Sequence, residues 1–237
     1  NYGNSESICS VENSATNNPG VNGALASQYN GRRLIAISPV IWNEGSWLAT
    51  DKRRGSNLVR TLLNAQSQPI CYLSNKYKDT STLSDASPLL RYAEVLLNRA
   101  EAKARLDDPT YLADLNAVRN RSLANPATEQ YTAFATKADA VNAVLMERRI
   151  EFLAEGLRWN TIHRLQHDDI APMNVVPQKY KNGANPVFAD YKIGIPYVFK
   201  TGDVPGLAYS DYRFVWPIPT LETSANPTLA AQQNPGW

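Results

Sequence analysis

The 237-residue chain sets 24 Lys and Arg against 22 Asp and Glu, a formal charge of +2, so long-range attraction to nucleic acid or an anionic bilayer is excluded as its organising feature. Hydrophobic residues at 43% and aromatics at 9% suffice for a real core in one large or two small domains, which excludes wholesale disorder. Charged residues reach only 19%, so the surface must be largely neutral and polar.

Residues 1–85 are rich in Asn, Gly, Ser and turn pairs such as Asn22-Gly23, broken by short runs such as Leu34-Ile35-Ala36-Ile37. This pattern predicts loops with a few short strands. Residues 86–169 predict a core of helical hairpins. The first helix is expected to open with Ser87 as N-cap and Pro88 at the first helical position, and to carry Leu89, Ala93, Leu96, Leu97, Ala100 and Ala104 along one face. Asp107-Asp108-Pro109 should stop it. A short second helix should point Leu115, Val118 and Ser122 inward and end at Asn125-Pro126.

The third starts at Thr136, with Asp139 three residues on, and should bury Val141, Val144, Leu145, Arg148 and Phe152 before stopping at Gly156. A fourth begins near Leu157 and runs through Ile162 and Leu165 to Asp168-Asp169. The small alanines at 93, 100, 102 and 104 suit closely packed antiparallel helices. Residues 170–237 are Pro- and Tyr-rich and predict an extended segment that wraps and braces the scaffold.

No apolar run reaches the roughly 18 residues of a spanning helix. The opening Asn1-Tyr2-Gly3-Asn4 has neither initiator Met nor signal peptide, as expected of a mature or trimmed polypeptide. Cys9 and Cys71 lie 62 positions apart, which excludes a CxxC motif and leaves open both a disulfide and two free thiols. The hydrolase elbow, phosphate loop, dinucleotide and zincin signatures are absent, so no cofactor is expected and the chain does not read as an enzyme.

His163 and His167 have a spacing compatible with two metal ligands but lack a third, and read as a helix-surface pair. The two Asp pairs read as caps or solvated groups, with calcium a minor alternative. Glu147, Glu151 and Glu155 recur every four residues and could supply paired carboxylates for glycoside hydrolysis. Interleaved with Arg148, Arg149 and Arg158, they read instead as structural ion pairs, because neighbouring arginines push a carboxyl pKa away from what a catalytic acid needs.

Trp42 and Trp47 lie in a polar loop outside any amphipathic repeat. Loop-borne rings can stack on a pyranose while Asn43, Glu44, Ser46 and, upstream, Tyr29 and Arg33 bind its hydroxyls, so these residues are the candidate ligand site. The competing reading places either ring in the core. Trp159, Trp216 and Trp237 read as packing residues.

The string Leu90-Arg91-Tyr92-Ala93-Glu94-Val95-Leu96-Leu97-Asn98-Arg99-Ala100-Glu101-Ala102, followed by Leu115-Asn116-Ala117-Val118-Arg119-Asn120-Arg121, resembles the C-terminal half of SusD/RagB proteins. Glu147-Arg148-Arg149-Ile150-Glu151-Phe152-Leu153-Ala154-Glu155-Gly156-Leu157-Arg158-Trp159 is similar to that family's ERRxEFxxEGxRW signature. Trp216-Pro217-Ile218-Pro219, Asn234-Pro235-Gly236-Trp237, Asp51-Lys52-Arg53-Arg54 and Lys76-Tyr77 match further family strings in the right order, over roughly residues 50–237.

The resemblance implies a mainly α fold of tetratricopeptide-like helical hairpins braced by long loops and a few short strands. It further implies a non-catalytic, surface-exposed outer-membrane lipoprotein that binds a nutrient, usually a glycan or oligosaccharide, and delivers it to a SusC-like TonB-dependent transporter. Peptide capture, as in the RagB branch, is the alternative it leaves open. Family members are considerably longer, so this chain is expected to partner an N-terminal half of the same protein that carries the lipid anchor. The matched strings are scaffold motifs and name no ligand residue.

Overall fold

The computed structural model of the chain describes residues 4–181 and 186–237. The first ninety residues contribute β1 (Ser7–Val11), the single turns α1 (Gly20–Gly23) and α2 (Pro39–Trp42), the hairpin of β2 (Val59–Leu63) and β3 (Pro69–Ser74), and β4 (Ser87–Arg91). Helical hairpins follow: α3 (Tyr92–Arg105), α4 (Tyr111–Arg119), the single turn α5 (Pro126–Glu129), α6 (Lys137–Glu151) and α7 (Leu157–Arg164). The remainder is irregular apart from the two-residue ladder of β5 (Val175–Val176) with β6 (Leu207–Ala208) and the short turns α8 (Thr220–Ala225) and α9 (Pro227–Ala230).

Ala93, Leu97, Ala100 and Ala104 of α3 are buried at alternating spacings of four and three, so one narrow face of small side chains meets α4 and α6. Leu97, Leu115, Val118 and Val144 interlock there with no exposure at all. Each such leucine contributes about 2 kcal/mol of burial. A second cluster gathers Ile37, Ile41, Trp42, Trp47, Val59 and Ile150, carrying the loop-rich first third onto α6.

The α6 N-terminus forms as expected: the Thr136 hydroxyl accepts the Asp139 amide at 3.1 Å and donates to its carboxylate at 2.7 Å. Three expectations are corrected. Ser87 and Pro88 open a strand, not a helix, because residues 87–91 pair antiparallel with β1 and the Tyr92 amide donates to the Glu6 carbonyl at 2.8 Å. Leu89, assigned inward, is 58% exposed in consequence. Asn125-Pro126 opens α5, with the proline at its first position, where a missing amide costs nothing. The third helix ends at Glu151, five residues before Gly156. Ala154 (φ 68°) and Gly156 (φ 81°) both take left-handed conformations in the turn that follows, and Gly156 becomes the N-cap of α7.

Long-range hydrogen bonds hold the irregular C-terminal segment in place. The Tyr191 hydroxyl donates to the Ile37 carbonyl at 2.7 Å, and the Tyr209 hydroxyl to the Ile162 carbonyl at 3.0 Å. Cys9 is exposed, Cys71 is buried, and both are free thiols. Among the described residues no helix is long and apolar enough to cross a membrane.

Candidate functional site

The two loop tryptophans are interior residues. Trp42 is 4% and Trp47 1% exposed. Trp42 stacks on Tyr72 with ring centroids 3.8 Å apart and planes 12° from parallel, and the Arg54 guanidinium lies 4.5 Å from the Trp42 ring and 4.1 Å from that of Trp47. Arg54 also donates through Nη2 to the Trp42 carbonyl at 2.7 Å and the Trp47 carbonyl at 2.6 Å, which locks the loop shut around it. Burial lowers the Arg54 pKa to about 10. Rings so enclosed offer no face to a sugar.

Asn43 is sealed in as well. Its side chain donates to the Asp190 carbonyl at 2.9 Å and accepts the Lys192 amide at 2.7 Å, pinning the C-terminal segment. Arg33 stands outside on the surface in a left-handed conformation (φ 58°). Glu44 faces Arg149, and the Ser46 carbonyl accepts from Arg119. Of the proposed ligand residues, Tyr29 lines the groove described below, and Trp47 touches the wall of a separate cavity beside Arg53 and Ile150. The tryptophans assigned to packing are the exposed ones, with Trp159 at 55%, Trp216 at 85% and Trp237 at 52%. Trp216 and Trp237 lie in the irregular C-terminal tail and Trp159 on the short α7.

The series Glu147, Glu151 and Glu155, which runs from α6 into the turn after it, is structural, though not through pairs along its own helix. Arg53 reaches Glu147 at 2.6 Å, Glu151 at 3.1 Å and Asp51 at 2.7 Å. Arg119 holds the other Glu147 oxygen at 3.1 Å, Arg91 bridges Glu151 and Glu155, Lys76 reaches Glu155 at 2.5 Å, and Arg121 joins Glu151 to Glu6. Five acids and five bases from the residue before β1, the Asp51 turn, the stretch after β3, β4, α4 and the turn after it, and α6 and the turn after it thus close one lattice, sealed at Arg53, Arg119 and Glu147 and more open at Arg121 and Glu6. Burial pulls the Glu151 carboxyl pKa upward, but Arg53, Arg121 and Arg91 outweigh it and hold the group below the ordinary range. A general acid for glycoside cleavage needs the opposite shift.

Arg148 belongs to a separate contact, donating to Asn98 at 2.6 Å and pairing with Glu94 of α3. His163 sits among Trp159, Tyr209 and Phe214, while His167 falls in the turn beyond the end of α7, so the two do not share a helix face. Among the described residues no group of three His, Cys, Asp or Glu side chains could hold a metal ion.

What the fold's own pairing leaves open is a groove between the 29–41 loop and the α6–α7 turn. One cavity of about 270 Å³ has apolar walls from Ile35, Ile41, Leu145, Phe152 and Leu157. An adjoining one of about 490 Å³ is bounded by Val40, Val175, Pro177, Gln178, Phe199 and Gly206. Arg149 and Arg158 line both and therefore stand at their junction. The pattern of the sequence placed these two arginines in helical ion pairs. The structure instead sets them on the groove wall, apart from the lattice. An arginine without a carboxylate at i±4 on its open side was the available signal.

The architecture is a helical-hairpin scaffold with an open groove beside a closed ionic lattice. The chain belongs to the SusD family, whose model matches residues 49–237. A solved SusD superfamily protein from Bacteroides fragilis is 27% identical over 95% of this chain and 45% of its own, with a TM-score of 0.68. A SusD-like carbohydrate binding protein from Bacteroides vulgatus shares the fold at 18% identity, over 96% of this chain and 48% of its own, with a TM-score of 0.64. SusD-like protein P38 of Formosa agariphila is 38% identical over 76 residues, 30% of this chain and 15% of that protein. The chain thus spans about half the length of the solved relatives and less of the curated one.

Proposed function

We propose that the chain is the C-terminal portion of a non-catalytic cell-surface protein that captures carbohydrate and delivers it to a SusC-like TonB-dependent transporter of the outer membrane. In this reading an N-terminal half of the same protein carries the lipid anchor on the extracellular face. The observation that carries the proposal is the family match along residues 49–237, the region that builds the helical hairpins and most of the groove wall. The groove supports it because apolar walls and a few convergent polar groups are what a saccharide needs, hydrophobic cover for its C–H face and donors for its oxygens. The ion-paired state of Glu147, Glu151 and Glu155 supports binding without turnover.

The test is a glycan array followed by calorimetric titration, with a reducing-sugar assay on every bound glycan. Saturable binding with no release of reducing ends is the expected result. Binding confined to peptides would replace carbohydrate by peptide capture, and release of reducing ends would replace both by hydrolysis.

A further inference from the structure

The Arg158 side chain makes no hydrogen bond and no ion pair among the described residues. Arg149 has one carboxylate, Glu44, and that at 3.6 Å. In a chain where the five bases of the neighbouring lattice all find acids, two half-buried guanidinium groups sharing a groove with a single, distant carboxylate between them are conspicuous. Burial and the repulsion of Arg149 lower the Arg158 pKa to about 10, so the fold disfavours the charge that it keeps.

Two further features add to the same sign. Arg158 lies in the first turn of α7, a helix whose N-cap is the side-chain-less Gly156 and whose first turn has no acidic residue, so the positive end of the helix dipole faces the groove uncompensated. Arg148, the neighbour of Arg149 on α6, also lines the first cavity; it is 8% exposed and its Nε is buried with no partner.

We infer that the Arg149 and Arg158 pair is a recognition site for the carboxylate of an acidic saccharide, seated at the junction of the two cavities. The inference rests on the carbohydrate reading above and specifies its substrate class. A planar carboxylate accepts two parallel N–H bonds from one guanidinium, and its negative charge relieves the repulsion between that guanidinium and the second one beside it. The adjoining apolar walls at Ile35, Ile41 and Leu157 suit the C–H face of the sugar ring that carries the acid. A neutral sugar would leave the Arg158 charge unpaired in the groove and would bind less tightly.

The experiment titrates the whole chain with tetragalacturonate, a hyaluronan tetrasaccharide and sialyllactose, each beside its neutral methyl ester, and with hexaglutamate. At least one acidic saccharide should bind about tenfold or more tightly than its ester, and the advantage should shrink as salt is raised. Arg158→Gln and Arg149→Gln should each abolish the advantage, while Arg158→Lys keeps part of it. Arg158→Gln should melt no lower than the parent, since it removes an unpaired charge, and this separates lost recognition from lost folding. Saccharide binding that ignores the acid and both Gln variants overturns the inference while the carbohydrate reading stands. Arginine-dependent binding of hexaglutamate alone also overturns it, in favour of an acidic polypeptide. Failure of every saccharide, acidic or neutral, with array binding also absent, removes the carbohydrate reading and the inference with it.

Discussion

Arg53 Nη1 stands 2.6 Å from Glu147 Oε1, with the arginine 8% exposed, the glutamate fully sealed, and 94 positions of chain between them. Breaking a buried pair strands the remaining charge, which costs about 3 to 5 kcal/mol. Arg53→Ala or Glu147→Ala should therefore each lose that much in urea denaturation, and Arg148→Ala, which strands Glu94, about 3 kcal/mol. A melting temperature unchanged in all three would show that the lattice is solvated in solution.

Trp47→Ala removes a ring that is 1% exposed and packed under Arg54, so it should cost about 3 to 5 kcal/mol of stability. Trp216→Ala, at a ring 85% exposed, should change the melting temperature little. Thermal melts of the two variants side by side check the reversal of roles; equal melting temperatures would contradict it.

Asn43→Ala leaves the Asp190 carbonyl and the Lys192 amide without partners, at about 1 to 3 kcal/mol for each group that stays buried. Hydrogen exchange at Lys192 should accelerate in the variant while amides within α3 keep their rates.

Acid should unfold the protein through its paired carboxylates. Net pKa values of Glu101, Asp114, Glu151 and Asp168 all lie below the ordinary range, the salt-bridged arginines outweighing burial at Glu101, Glu151 and Asp168 and leading outright at Asp114. A carboxyl whose folded pKa is depressed stabilises above its unfolded value and loses that contribution as pH falls through the folded one. Melting temperature should thus be flat near neutrality and fall steeply below about pH 4. At the other extreme, burial and the Glu147 charge raise the Tyr131 phenol pKa to about 12, so its contribution persists below 10 and is lost as pH rises toward 12.

Thiol chemistry gives a simple check on the first third. Cys9 is exposed, whereas Cys71 is 1% exposed and burial raises its thiol pKa. One equivalent of a thiol reagent should react in the native protein and two after denaturation.

Elements specified by near neighbours were readable from the sequence. Thr136 and Asp139 cap α6, and Leu97, Ala100 and Ala104 share a buried face, because caps and helical stripes depend on residues three and four apart. The strand at Ser87 was not readable, since its partner is β1 and nothing near Pro88 signals it. Trp42 is buried by Tyr72, Tyr191 and Arg54, a set assembled from three separate segments. The acidic series on α6 was recognised as structural, yet its partners come from Arg53, Arg91, Arg119 and Arg121, none of them on α6. At the groove, Tyr29 was legible as a candidate, while the open charge of Arg158 appears only once every acid in reach is seen to be taken.

The distance in chain between Arg53 and Glu147 also bears on how the molecule reaches its structure. The α3–α4 hairpin closes over a short loop and meets itself early, whereas the ionic lattice must wait until β1, the Asp51 turn and α6 have all been brought together, with the loop-closure entropy of three long segments already lost. Mutations at Leu97 or Leu115 should then slow refolding. Mutations at Arg53 or Glu147 should leave refolding almost unchanged and hasten unfolding, which makes the lattice a clasp that sets the lifetime of the folded state.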